Sequence, residues 1–212
     1  MKSKIFNYCF AIIGIIFLFT NCSGPNPGVD DTFLPQENNV LKKASKTITQ
    51  VEIDGIFYMR EEEKLAHDVY YSLNELFPHP VFVNIMASEQ THTEAVLNLL
   101  NFYNLEDPVG DNGIGVFTDS HLQYLYDDLM EKGEMGLDSA LIVGCLIEET
   151  DIIDIVYYID QAKLKNIIQV YSNLLDGSEN HLRAFVNAVS KQGFVYVPRY
   201  ITQEEFDAII NE

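Results

Sequence analysis

Residues 81–103 read VFVNIMASEQTHTEAVLNLLNFY. Phe82, Ile85, Glu89, His92, Val96, Leu99 and Tyr103 recur at alternating steps of three and four, which places all of them on one face of a helix. That face is apolar except at its centre, where Glu89 and His92 lie one turn apart. A carboxylate and an imidazole on a buried face are costly to desolvate without compensation. A metal ion supplies it, and a Glu-x-x-His pair projecting inward from a bundle helix is half of a carboxylate metal site. One such pair is also met as an ordinary polar contact, so it acquires meaning only if other helices supply partners.

Three further segments have the same design. Upstream, Thr49-Gln50-Val51-Glu52 is a capping box that opens a long helix running to about Phe77, where Pro78 and Pro80 end it. Its stripe is Tyr58, Glu62, Leu65, Val69, Ser72 and Leu76, with Glu62 as the inward acid. Glu61 and Glu63 read as solvated acids, although a rotation of the helix substitutes Glu63 for Glu62. A helix over about 138–161 carries Leu141, Cys145, Glu148, Ile152, Ile155 and Ile159, with Glu148 at its centre and Asp151 one turn on. Another over about 164–190 carries Ile167, Val170, Leu174, Ser178, His181, Phe185 and Val189, with His181 at its centre. A lone histidine on an apolar face is more often a hydrogen-bonded core residue than a ligand. Here it sits at the same relative height as the polar residues of the other three helices.

The remaining segments are connections and an address. Residues 104–117, rich in Gly and Asp, form a crossing loop, and Thr118 caps a short amphipathic helix with Leu122, Leu125, Tyr126 and Leu129 inward. The tail is extended at Val195–Val197. It then caps a last helix with Thr202-Gln203-Glu204-Glu205, docked by Phe206, Ile209 and Ile210. At the other end, Lys2 and Lys4 precede an apolar run, Ile5 to Phe19, with the charge layout of a secretory signal. Leu18-Phe19-Thr20-Asn21-Cys22 resembles a bacterial lipoprotein cleavage site, in which Cys22 becomes the lipidated first residue. The expected order is a signal peptide over 1–21, a Pro/Gly/Asn-rich tether over 22–46, the bundle over 47–192 and a capping segment over 193–212.

The 212 residues include 32 acids against 13 Lys and Arg, a formal charge of −19. Such a surface repels phosphate and argues against nucleic-acid binding. Of three cysteines, Cys9 is in the signal, Cys22 is the lipidation site and only Cys145 remains. No CxxC pair exists, which excludes a rubredoxin-like iron site and a thioredoxin-like redox motif.

Four segments in order, REEEKLAHDVY (60–70), SEQTHTEAVLNLL (88–100), LIEETDIID (146–154) and SENHLRAF (178–185), resemble domain-of-unknown-function family 2202. This is a bacterial ferritin-like family related to the rubrerythrin and ferritin group. The resemblance spans about 50–188. It implies an all-α, ferritin-like four-helix bundle with a short extra helix between the second and third long helices and a C-terminal capping helix. It also implies a metal set of Glu62, Glu89, His92, Glu148 and His181. The chain departs from that pattern at Ser178, where a Glu belongs three residues before His181. Asp151, Glu149 and Glu179 are the substitutes at hand, and a single-ion site is the other outcome. Carboxylates and imidazoles in this mix suit iron, with manganese or zinc as alternatives. The expectation is a lipid-anchored envelope metalloprotein, with peroxide- or dioxygen-linked oxidoreductase chemistry if it is catalytic. Tyr58, Tyr70 and Tyr103 are candidate redox neighbours with core packing as their simpler role. The alternative is a metal-free envelope binding or scaffold module whose polar residues close on one another.

Overall fold

Thr49 accepts the Glu52 amide while Glu52 bonds back to the Thr49 backbone and hydroxyl, and this capping box starts α1, Gln50–Leu76. The structure, a computed structural model, describes residues 47–211. The proposed signal, Cys22 and the whole of the tether lie outside them. His79 and Pro80 open α2, Pro80–Tyr103. It ends at Asn104, whose left-handed backbone (φ 56°) lets the Leu105 amide reach back to the Leu100 carbonyl. A loop leads to α3, Ser120–Gly133, then come α4, Leu137–Gln161, α5, Lys165–Lys191, and α6, Gln203–Ile210. Among the described residues there is no strand, and no helix is long and apolar enough to cross a membrane. The fold is an all-α helical bundle.

Short connections force antiparallel neighbours. Three residues separate α1 from α2, and three separate α4 from α5. α1 packs on α2, α2 on α5, α5 on α4 and α4 on α1, which closes a ring of four long helices. α3 lies against α1 and α4, and α6 against α5. The core divides into two apolar clusters. One joins Tyr70, Leu73, Phe82 and Ile85 to Leu141, Cys145 and Phe185. The other joins Ile56, Met59, Val96 and Leu99 to Ile155, Ile167, Tyr171 and Leu174. Between them, in chain order on every long helix, come Glu63, Glu89 with His92, Glu148 with Asp151, and Ser178 with His181, all buried.

The first helix is rotated from the sequence expectation. Its bundle-facing row is Ile56, Met59, Glu63, Ala66, Tyr70 and Leu73, whereas Ser72 is half-buried and Leu76 is exposed. Glu61 and Glu63, read as solvated, are 3% and 1% exposed. The cause is that α1 is covered by α2, α3 and α4 at once, so its polar run has no solvated side. Arg60, Glu61, Lys64 and Asp68 find loop partners instead. Arg60 pairs with Asp107 at 2.9 Å. Glu61 accepts the Thr118 and Asp119 amides, 2.5 and 2.8 Å. Lys64 pairs with Asp68 and donates to the Gly113 carbonyl, 2.8 Å, and Asp68 accepts the Gly115 amide, 2.9 Å. These contacts pin the crossing loop. They also move the cap of α3 from Thr118 to Asp119, which accepts the His121 and Leu122 amides.

Glu52 does a second job. Its Oε1 accepts the Lys163 and Leu164 amides, 2.7 and 2.9 Å, at the start of α5, whose own N-cap has no side-chain bond. Burial alone would raise its pKa, but the backbone and Thr49 hydrogen bonds outweigh it and hold the carboxyl below its ordinary 4.5. A depressed folded pKa contributes stability above the ordinary value and loses it as pH falls through the folded one. Glu52→Gln is therefore expected to cost about 2 kcal/mol at pH 7. The gap from the parent should close on acidification, as read from urea midpoints at pH 7 and pH 3.

Candidate metal centre

Glu89 and His92 remain on one face of α2 because the helix runs unbroken through both. Around them α1 contributes Glu63, α4 Glu148 and Asp151, and α5 Ser178 and His181. His92 Nδ1 lies 3.2 Å from Glu63 Oε2 and 2.9 Å from Glu89 Oε2. His181 Nδ1 lies 2.8 Å from Glu89 Oε1 and 3.5 Å from Glu148 Oε2. Glu89 thus spans the two imidazoles, one oxygen to each. The rings stack with centroids 5.3 Å apart, and one ligand atom from each of Glu89, His92 and His181 falls within 4.8 Å of the others.

Hydrogen bonding does not account for these groups. The single Nδ1 of His92 faces two carboxylates and satisfies one, Glu63. His181 Nδ1 is within ion-pair distance of Glu89 but is not aligned for a hydrogen bond. Both oxygens of Glu62, one of Glu63 and one of Asp151 are buried without a partner. The rest of the layer is held in place. Tyr70 donates to Glu148 Oε1 at 2.5 Å, Ser178 shares its one hydroxyl proton between Asp151 and the Leu174 carbonyl, and Tyr58 donates to Asp154 at 3.0 Å.

The protonation balance follows from burial and crowding. Burial lowers the affinity of His92 and His181 for a proton, but their carboxylate partners more than reverse this and raise the two pKa values to about 11 and about 10. Glu89, between two imidazoles, is held low despite its burial. Burial and neighbouring acids push Glu62 and Asp151 well up, and burial with the Glu89 charge raises Glu63 against the pull of His92. More acid is packed here than the two histidines neutralise, and a cation would stand where protons otherwise must.

Of the residues expected from sequence, Glu89, His92, Glu148 and His181 converge. Glu62 is buried, but α1 turns Glu63 toward His92 and leaves Glu62 with Asp151 and Asp154 as its charged neighbours. Glu63 was legible in the alternative row 56-59-63-66-70-73, although three successive glutamates hid the choice. Glu149 does not join the cluster. Both its oxygens are engaged by Tyr196 Oη, 2.6 Å, and by the Arg199, Tyr200 and Ile201 amides, 2.8, 2.6 and 3.2 Å. It latches the tail to α4, a role beyond the packing read from sequence. Glu179 is half-buried in a cleft with Ile152, Leu175 and Ile209. Tyr103 bonds Asn166 at an exposed position, away from the layer.

Gly177 was missed as part of the site. A Cβ there would stand 2.4 Å from Cε1 and Nε2 of His92. The glycine makes room for that ring to slot against α5 and aim Nδ1 at the acids.

The family described as "Uncharacterized protein domain (DUF2202)" matches residues 52–212. The chain belongs to this family. It is 45% identical over 164 residues, 77% of this chain and 89% of the relative, to the uncharacterized protein MJ0754 of Methanocaldococcus jannaschii. The crystal structure of that hypothetical protein superposes with a TM-score of 0.77 at 42% identity, covering 85% of this chain and 98% of that one.

Two outcomes test the placement of these residues. Gly177→Ala, which in an ordinary helix interior gains about 1 kcal/mol, should lower the melting temperature here, and most of the loss should vanish in a His92→Ala background. Glu149→Gln should make residues 194–201 susceptible to limited proteolysis while leaving metal content as in the parent.

Proposed function

We propose that the chain is a metal-binding protein whose centre is Glu63, Glu89, His92, Glu148 and His181, and that iron is its metal, with manganese or zinc as alternatives. The observation that carries this is the convergence of both imidazole Nδ1 atoms on the two oxygens of Glu89, amid buried carboxylate oxygens with no other partner. Burying so many unpartnered acids would cost several kcal/mol each without a cation. The donors are nitrogen and oxygen only, as iron, manganese and zinc accept. A mid-bundle site of this composition supports the ferritin-like relation implied by the sequence.

If the protein is an enzyme, peroxide or dioxygen is the substrate class. A redox-active ion held there would supply Lewis acidity and relay to the substrate the electrons of an external reductant. The chain's own residues hold and orient. Glu89 links the two histidines, Tyr70 fixes Glu148 through its hydroxyl, and the two apolar clusters exclude water from both ends of the layer. The proposed setting is the cell envelope, with the domain tethered to a bacterial membrane through lipidated Cys22. The alternative, a metal-free scaffold, requires every group of the layer to be bonded. The unpartnered oxygens of Glu62, Glu63 and Asp151 weigh against it.

The test is metal content by plasma mass spectrometry, on chain purified from iron-replete and manganese-replete cultures. At least one ion per chain is expected, falling to background in the Glu89→Ala, His92→Ala double variant. A double variant that holds as much metal as the parent, or a folded parent that holds none, would overturn the reading.

A further inference from the structure

The centre described above has three carboxylates and two histidines, one acid short of the four-carboxylate, two-histidine complement of a paired-metal bundle site. The gap lies on α5. Ser178 stands one turn before His181, where a Glu would make a second Glu-x-x-His pair. Ser178 is fully buried, and a serine hydroxyl is a poor ligand for these cations.

Across from it, α4 carries an acid that the five-residue centre leaves unused. Asp151 is 6% exposed. One of its oxygens accepts the Ser178 hydroxyl, and the other is buried with no partner. Glu63, Glu148 and Glu89, the three acids of the centre, are among its charged neighbours, as is Glu62. A buried aspartate held by one oxygen, with the other oxygen free among ligands, has the arrangement of a ligand with its orienting partner.

We infer that Asp151 supplies the fourth carboxylate of the centre, and that Ser178 is its positioning residue. The acid that a second Glu-x-x-His pair would place on α5 comes instead from α4, one turn beyond Glu148. Aspartate is shorter than glutamate by one methylene, and the Ser178 hydroxyl bonds it across the contact between α5 and α4. The same hydroxyl proton is shared with the Leu174 carbonyl of its own helix, which fixes the hydroxyl between α5 and Asp151. This inference rests on the metal reading above and gives it a definite stoichiometry, two ions rather than one.

The experiment is anaerobic titration of the metal-free full chain with Co(II), an optical probe for Fe(II). Stoichiometry is read by mass spectrometry and coordination from the visible bands. Asp151→Asn keeps the size and the Ser178 hydrogen bond, so helix content and melting temperature should hold. It is expected to bind about one ion where the parent binds about two. Ser178→Ala should weaken the second ion by about tenfold and shift its bands. Asp151→Ser combined with Ser178→Glu moves the carboxylate back to α5 and should recover the second ion. Parental affinity for two ions in Asp151→Asn would overturn the assignment while leaving the five-residue centre standing. A folded exchange variant that stays at one ion would overturn it too, as would a parent that binds only one. A parent that binds none would instead defeat the metal reading itself.

Discussion

A layer of ionisable side chains runs through the middle of the bundle, and the rest of the structure is arranged to hold it. Glu63, Glu89, His92, Glu148, Asp151 and His181 are each at least nine-tenths buried. Taking such groups from water costs several kcal/mol apiece even after relaxation. The opposing gain comes from two apolar clusters, one at each end of the layer, at about 25 cal/mol per Å² of surface removed from water. The ring of α1, α2, α5 and α4 is what puts both clusters and the layer in register. Antiparallel neighbours bring the middle of each helix to the same height, so a polar residue at mid-stripe on one meets its counterparts on the others.

Close packing at the layer leaves little slack. Gly177 lets the His92 ring lie against the α5 backbone. The shared Glu89 carboxylate then sits between His92 and His181 and polarises both. Tyr70 and Ser178 bond Glu148 and Asp151 from outside the cluster, so those two acids have a fixed direction. A site built on helix interiors and not on loops is rigid, which suits coordination geometry.

The same economy of polar groups appears away from the layer. Buried acids on helices serve as acceptors for backbone amides that would otherwise be orphaned. Glu52 ends the α4–α5 turn, Glu61 receives the start of α3, and Glu149 gathers three successive amides of the tail. This explains how an acid-rich chain can bury so many carboxylates. Some face each other in the layer, and the rest do the work of helix caps across tertiary contacts.

The amino-acid sequence by itself determined the helices, their caps and the presence of a polar residue at mid-stripe on each long helix. Those depend on local periodicity and on side chains bonding amides two or three residues away. The 49–52 and 202–205 capping boxes and the Glu89–His92 pair could therefore be read directly. Which acid of Glu61-Glu62-Glu63 enters the layer was decided only by tertiary structure. The middle of α1, buried over residues 59–66, has no solvated side to orient the reading, and a rotation of one residue, about 100°, exchanges Glu62 for Glu63. The tail latch of Glu149 and the fit of Gly177 to His92 were likewise beyond the sequence, which offered Asp151 as one of three substitutes for the acid missing at Ser178 but not the contact between the two. Each is set by what another helix or the tail brings within hydrogen-bond or van der Waals reach, and no spacing along the chain encodes that distance.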